Sequence, residues 1–459
     1  MSSTAVDFAQ QNQQRFLDEL KALLRIPSIS TLEEHKGDIL KAATFVADEL
    51  KRIGFNNVEI IPSQGHPLIY ADWLGVPGKP TVLCYAHYDV QPAEPLDEWV
   101  TPPFEPTVRN NNVYARGAVD DKGQLWMEVK AFESLFRAGN GKLPLNIRVI
   151  FEGEEEVGGE AIADYIRKHG DRLKADFALV CDTEMFAPDL PTLCVGLRGL
   201  VYTEIEAQGA SVDLHSGVYG GAAPNPLFAL AQIISKLKDP NGKILIPGFY
   251  DKVKAPTADE LKAWDALPFD EEEYRKKEVG SNVLTGEPNY PVLYRTWARP
   301  TLEVHGIPGG FTAQGAKTVI PARASAKVSM RLVPDMDPDE ILKKFTDYVM
   351  SLCPKGIQLK IKVHSKGPAS VVDTDNNYIR AANKALHEVF HKDTVYIRSG
   401  GSIPVVSDFQ NELRIPTVMM GMGLPDDNLH APNEKFHIPN FYRGIEAIIR
   451  MLTIVAEGK

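Results

Sequence analysis

A chain of 459 residues is long for one domain, so two or three are expected. Its 44% hydrophobic and 24% charged residues suit a globular protein with a large core, and its net charge of −11 argues against a sequence-independent grip on nucleic acid. No stretch has the length of a membrane span, the N-terminal MSSTAVDFAQQNQQ lacks the basic and apolar regions of a signal peptide, and four scattered cysteines without a CxxC pair exclude a disulfide framework or thiolate metal site. A cytoplasmic protein with neither nucleic acid nor membrane as partner is expected.

Along the first half, helices and strands alternate. Residues 38–54 carry apolar positions at helical spacing and end on Gly54, a plausible C-cap. PTVLCYA reads as a buried strand, residues 122–139 as a helix stopping at Gly139, and LNIRVIFE and ADFALVCD as two more strands with the helical AIADYIRKHG before the second. Cys84 and Cys181 lie within these apolar runs and read as buried small hydrophobes. Such alternation predicts an α/β fold with a largely parallel sheet flanked by helices.

Near residue 196 the pattern changes. LVYTEIEAQG, TLEVHGI and ASAKVSMRLVP alternate like half-exposed antiparallel strands. Between them run two amphipathic helices, 225–239 with Asn225 as N-cap and Pro226 as first helical residue, and 338–352. Residues 247–300 are rich in Pro, charge and aromatics without a clean period, and read as an insertion. After about residue 370 the α/β pattern returns, with helices at 376–391 and 440–458 around the strand RIPTVMMGMG. The simplest organisation is a catalytic α/β domain, 1–196 and 369–459, interrupted by a smaller α+β domain, 197–368.

Chemistry-bearing residues gather just past the strands. His87 and Asp89 follow TVLCYA, Asp120 and Asp121 lie in RGAVDDKG, Glu154, Glu155 and Glu156 follow IRVIF, Asp182 ends FALVCD, and His430 lies in LPDDNLHAPNE beside Asp426 and Asp427. The crevice outside the carboxyl ends of the strands is where open α/β sheets bind ligands. Two imidazoles and several carboxylates there indicate a metal site, most simply one with two ions, and a donor set without sulfur suits Zn²⁺ or Mn²⁺. One carboxylate must remain free of metal to take a proton from the attacking water, and the run of three Glu can supply both kinds. Asp89 is spaced to fix the His87 tautomer, Asp120 has two oxygens with which to bridge two ions, and Asp121 can support the base. A rival is the literal HExxH of His387-Glu388-Val389-Phe390-His391, with Glu412 as a third ligand. Its histidines flank the apolar stripe of Ile379, Ala382, Leu386 and Phe390, as surface positions would, and it leaves the strand-end residues unexplained.

Together HYDVQP, RGAVDDKG, EGEEEVGG, DLHSGVYGG, GAKTVIP, RLVPDM, GGSIP and HAPNEK, in this order from 87 to 435, resemble the M20 metallopeptidases, most closely the branch of cytosolic non-specific dipeptidase and carnosinase. The resemblance implies two divalent metal ions bridged by Asp120, one completed by His87 and Asp182 and the other by Glu156 and His430. It implies Glu155 as general base, Asp89 and Asp121 in support, and a cis peptide between Asp120 and Asp121. Glu154 stands where relatives often carry Met, which leaves the register of the three Glu residues to be settled. The inserted domain becomes a lid and dimerisation domain. From it His215 would reach across a homodimer to the oxyanion, while Arg331, Thr318, Gly400, Gly401 and Ser402 would hold the substrate carboxylate. The implied reaction is hydrolysis of dipeptides or short peptides with a free C-terminus. Deacylation of N-acyl amino acids is the alternative enzyme reading, and a metal-stabilised binding protein the alternative outside enzymes.

Overall fold

In the computed structural model, which describes residues 2–458, the chain divides into two units. The first comprises the chain up to Val195, Val372–Ile397 and the chain from Val405 onward; the second comprises Gly196–Val371 and Arg398–Pro404.

A mixed sheet forms the centre of the first unit. Seven of its nine strands run in the order Asn56–Ile61, Leu68–Trp73, Asn146–Glu152, Thr81–His87, Phe177–Val180, Thr417–Met419 and Thr192–Leu197. The Asn146–Glu152, Thr81–His87, Phe177–Val180 and Thr417–Met419 strands are mutually parallel, so their carboxyl ends share one edge, with His87 in register with Glu152. Thr81–His87 is buried at every position after the first, as expected of a strand covered on both faces, and this explains its unbroken apolar run. Helices Lys36–Ile53, Lys122–Ala138 and Ile438–Glu457 supply the cover, the last packing on Lys122–Ala138 and on Asn377–Phe390. Gly54 ends the first of these in the left-handed conformation (φ 119°), where a side chain would be strained. Two N-terminal helices, Ser2–Gln11 and Gln13–Leu24, were not anticipated. The Cys84 and Cys181 side chains are buried and unpaired by disulfides. Among the described residues, no helix is long and apolar enough to cross a membrane.

Under these helices lies a buried charge network. The Lys130 ammonium is fully enclosed and meets Glu19 at 2.5 Å, Glu133 at 3.1 Å and Glu49, while Glu133 also takes Arg15 at 3.0 Å and Arg52 at 2.8 Å. Glu19, Glu49 and Glu133 lie close enough to resemble metal ligands, but a cation of the chain already occupies their centre. Burial pushes the Glu133 carboxyl up, and Lys130, Arg52 and Arg15 outweigh it to hold its pKa down to about 2, against an ordinary 4.5. A carboxylate whose pKa is lowered by folding stabilises above its unfolded pKa, so this contribution is lost as pH falls from about 4.5 to 2. Glu133→Gln strands part of this buried charge and is expected to destabilise by about 3–5 kcal/mol at neutral pH. Urea unfolding with the midpoint followed at pH 7 and pH 3 checks this, the wild-type advantage shrinking at the lower pH.

The second unit has a four-stranded antiparallel sheet in the order Thr301–Gly306, Arg323–Leu332, Gly199–Gln208 and Gln358–Gly367. Gly199–Gln208 is buried at every second residue, and Val201, Ile205 and Ala207 join a core with Leu230 and Ile233 of helix Pro226–Ile234 and Ile341 and Phe345 of helix Pro338–Ser351. Asn225 caps the first of these helices by accepting the Leu227 N–H at 3.0 Å. The stretch without a period folds into short helices, Ala258–Asp265 and Val292–Trp297, with a π-helical turn at Tyr274–Val279. Trp264 and Trp297 meet edge to face at 5.3 Å, which explains the aromatic content there. Arg398–Pro404 packs in this unit rather than with the rest of the chain after 369. The Arg398 guanidinium pairs with Glu260, the Arg198 N–H donates to the Gly401 carbonyl at 3.0 Å, and Arg331 donates to the Ser402 hydroxyl.

Candidate metal centre

At the shared carboxyl edge of the first sheet, two groups of ligating atoms form around one carboxylate. Asp120 Oδ1 lies 3.0 Å from His87 Nε2 and its Oδ2 lies 2.9 Å from His430 Nε2. Asp182 stands 3.8 Å from His87 Nε2, and Glu156 3.3 Å from His430 Nε2. Each group, His87–Asp120–Asp182 and Asp120–Glu156–His430, offers atoms all within 4.8 Å of one another. The Asp120–Asp121 peptide bond is cis.

Asp89 does two things. Its backbone carbonyl accepts from His87 Nδ1 at 3.1 Å, leaving Nε2 turned toward Asp120, and its carboxylate caps the next turn by accepting the Glu155 and Glu156 N–H groups at 3.2 and 3.1 Å. Asp121 accepts the His87 N–H at 3.1 Å through Oδ2, while its buried Oδ1 has no partner. The Glu154 carboxylate is fully committed to backbone, taking the His66 N–H at 2.7 Å and the Ala161 N–H at 2.7 Å. Glu156 faces His430 and receives Gln91 Nε2 at 2.8 Å. Of the three Glu carboxylates, Glu154 thus meets backbone N–H groups and Glu156 meets His430 and Gln91.

Three further residues belong to the site's frame and were not singled out from sequence. Gln91, inside HYDVQP, orients Glu156. Glu434, inside HAPNEK, takes Arg116 Nη1 and the Gly117 N–H on one oxygen and the Val119 and Asp120 N–H groups on the other, cradling the loop that presents Asp120. Burial pushes the Glu434 carboxyl up to about 7, against the pull of Arg116. Glu152, register partner of His87, accepts the Tyr85 hydroxyl at 2.6 Å and is pushed by burial up to about 8. The signal for Gln91 and Glu434 was their membership of long motifs; no spacing rule links Glu434 to a loop more than 300 residues earlier.

Burial pushes the Glu155, Glu156, Asp182 and Asp121 carboxyls above the usual carboxylate range, neighbouring carboxylates adding to it. Burial also opposes charge on Asp120, but His430 and His87 hold its carboxyl below that range. Hydrogen bonds to Asp120 and Glu156 push the His430 imidazole up to about 10. So many acids in a dry site cannot ionise together without added positive charge. Two groups of nitrogen and oxygen donors, an orphaned Asp121 oxygen and a carboxylate facing both histidines fit a pair of divalent cations.

The competing HExxH forms no such group. Helix Asn377–Phe390 ends before His391, which turns into the left-handed region (φ 54°), so the two histidines do not share a helix face. His387 caps the Lys392 carbonyl, and Glu388 pairs with Arg450 at 2.8 Å. Asp427 accepts the Leu424 N–H and pairs with Lys435, and Asp426 pairs with the same lysine.

Candidate residues of the second unit fall into two groups. His215 and Thr318 meet on a short ladder in which Leu214–His215 pairs with Val319–Ile320 and the Thr318 carbonyl accepts the Ser216 N–H. His215 is exposed, and its Nδ1 accepts the Gly217 N–H at 3.0 Å, so the ring proton sits on Nε2. Arg331, Gly400, Gly401 and Ser402 gather elsewhere in the unit, with Arg331 Nη1 donating to the Ser402 hydroxyl at 2.7 Å. Burial, with no opposing carboxylate, lowers the Arg331 pKa.

Comparison with known proteins adds three findings. The model of peptidase family M20/M25/M40 matches residues 83–454. The chain is 35% identical over 452 residues to the Cys-Gly metallodipeptidase dug1 of Schizosaccharomyces pombe, covering 95% of this chain and 94% of that protein, and 32% identical over 454 residues to human Beta-Ala-His dipeptidase, covering 94% and 88%. The solved structure of the di-peptidase Dug1p from Saccharomyces cerevisiae superposes with a TM-score of 0.89 at 31% identity, covering 100% of this chain and 99% of that one.

Proposed function

The chain belongs to peptidase family M20/M25/M40, and we propose that it is a dipeptidase using two divalent metal ions, Zn²⁺ or Mn²⁺, working in the cytoplasm as a homodimer joined through the second unit. The observation that carries the metal assignment is the sharing of Asp120 between two donor groups. His87, Asp120 and Asp182 would hold one ion, and Asp120, Glu156 and His430 the other. Bound there, divalent cations supply Lewis acidity toward the scissile carbonyl and a lowered pKa for the attacking water.

The chain's own residues do the rest. Glu155 takes a proton from the attacking water and passes it to the leaving amine; with Glu154 bound to backbone and Glu156 facing His430, it is the carboxylate left for that work. Asp89 holds the imidazole of His87 and the Glu155–Glu156 turn together, and Asp121 braces the His87 backbone. His215 carries a donor proton on Nε2, as a group stabilising an oxyanion requires, and we assign it to the partner protomer's reaction. Arg331 with Ser402, Gly400 and Gly401 receives the substrate carboxylate; the resemblance adds Thr318, which stands beside His215 rather than with this group. The homodimer reading is supported by exposed apolar side chains on the second unit, among them Phe228, 71% exposed, and Val218, 69% exposed. Four free cysteines, three of them buried, support a reducing compartment.

Dipeptidase relatives disfavour the deacylase alternative. Hydrolysis of dipeptides that stops on chelation and returns with Zn²⁺ or Mn²⁺, with no cleavage of N-acetyl amino acids, is the expected result of a two-substrate screen with metal analysis. Chelator-resistant turnover would remove the metal assignment, and cleavage of the acyl amino acids alone would reverse the substrate assignment.

A further inference from the structure

The second unit holds two guanidinium groups near each other, and among the described residues neither has an ion-pair partner. Arg198 leads into strand Gly199–Gln208, and Arg331 lies on the adjoining strand in register with Leu200. The Ser402 hydroxyl joins the two residues, accepting from Arg331 Nη1 and donating to the backbone carbonyl of Arg198. Arg198 Nε donates to the Gly400 carbonyl at 2.9 Å, and its Nη1 lies 3.4 Å from the Thr301 hydroxyl. Among the described residues no carboxylate forms an ion pair with either guanidinium. Acids are not scarce in this unit: Arg398 takes Glu260, Arg299 takes Glu287 and Arg275 takes Glu272. The chain as a whole has 61 acidic and 50 basic residues, so two unpaired, half-buried cations side by side are a local choice.

Physics makes this pair costly when empty. Burial and then the charge of Arg331, against the pull of Glu303 and Tyr274, lower the Arg198 pKa to about 10. A small anion relieves both effects. The turn packs closely on this pair at Gly400, where a Cβ would lie 2.9 Å from Arg198 Nη2 and 3.4 Å from the Thr296 carbonyl, so a side chain there would press on the guanidinium. The turn at 400–402 is held from behind by the Arg398–Glu260 pair and by Arg398 over the Trp264 ring, so the 258–299 segment acts as its buttress. A planar fork of N–H donors that meets a carboxylate through two bonds is what arginine offers and lysine does not.

We propose that Arg198 is a substrate-binding residue which, with Arg331, forms a two-guanidinium receptor for the C-terminal carboxylate of a dipeptide, beside the turn at 400–402. This deepens the reading under Proposed function that Arg331 and the 400–402 turn take that carboxylate, and rests on it. Arg198 is the member that reading lacks.

The test uses metal-loaded enzyme, alanyl-glycine and alanyl-glycinamide, and the variants Arg198→Met, Arg198→Lys and Arg331→Met. Arg198→Met is expected to raise KM for the dipeptide by about 10- to 100-fold, the range for losing an ionic hydrogen bond. KM for the amide changes little, so the preference for acid over amide collapses; Arg198→Lys recovers only part of it. Equal losses on acid and amide would show that Arg198 merely holds the turn, and would overturn the proposal. Collapse in Arg331→Met with the preference intact in Arg198→Met would also overturn it, while leaving the carboxylate reading standing. No preference for acid over amide in the wild type would remove the carboxylate reading itself. If neither Arg198 variant folds, as judged by melting temperature and metal content, the residue is structural and the proposal fails.

Discussion

Glu155→Gln is expected to lower kcat on a dipeptide by about 10²- to 10⁴-fold, the usual worth of a positioned general base, with metal content nearly unchanged. The reason lies in how the neighbouring carboxylates are occupied. Glu154 spends both oxygens on backbone N–H groups, and Glu156 is turned to His430 and Gln91. Glu155 sits between them on a turn whose N–H groups are fixed by Asp89. An amide of the same shape keeps the turn and loses the proton acceptor. Steady-state kinetics together with metal analysis separates the roles: loss of bound metal along with activity would make Glu155 a ligand instead.

His215→Ala is expected to lower kcat by about 10²- to 10³-fold, as removal of one oxyanion donor does, with the fold and the metal centre intact. The side chain is exposed and hydrogen-bonds the Gly217 N–H beside it, so truncation removes little packing. If the imidazole serves the opposite protomer, mixing inactive His215→Ala with inactive Glu155→Gln produces heterodimers with one intact site, and activity returns. Verified heterodimers without activity would confine His215 to its own protomer or remove it from the reaction.

Much of this was legible in the chain because buried parallel strands announce themselves as unbroken apolar runs, and the residues just past such a run lie at the ligand-binding edge. His87, Asp182 and the Glu run were found that way, and the structure brings them together with Asp120 and His430. Periodicity has nothing to say inside a turn, so the partners that Glu154 and Glu156 take could not be read from the chain. Glu434 was passed over because its four donors belong to a loop more than 300 residues away. Residues 398–404 look like a continuation of the α/β half, yet they pack in the other unit because Arg198, Glu260 and Arg331 hold them there. The HExxH reading failed on one backbone angle: His391 leaves the helix just where a ligand pair would need it to continue.

The strand order of the first sheet carries a consequence for synthesis. Thr417–Met419 lies between Phe177–Val180 and Thr192–Leu197, so two strands made early must be held apart for one that emerges some 220 residues later. At a ribosomal rate of about 5–20 residues per second, the gap stays open for roughly 10–45 seconds. During that interval the parallel edge at Phe177–Val180 is an unpaired template that a second nascent chain could join. His87, Asp120 and Asp182 are already synthesised by then, whereas His430 is not, so the two donor groups that share Asp120 are completed at different times on the same growing chain.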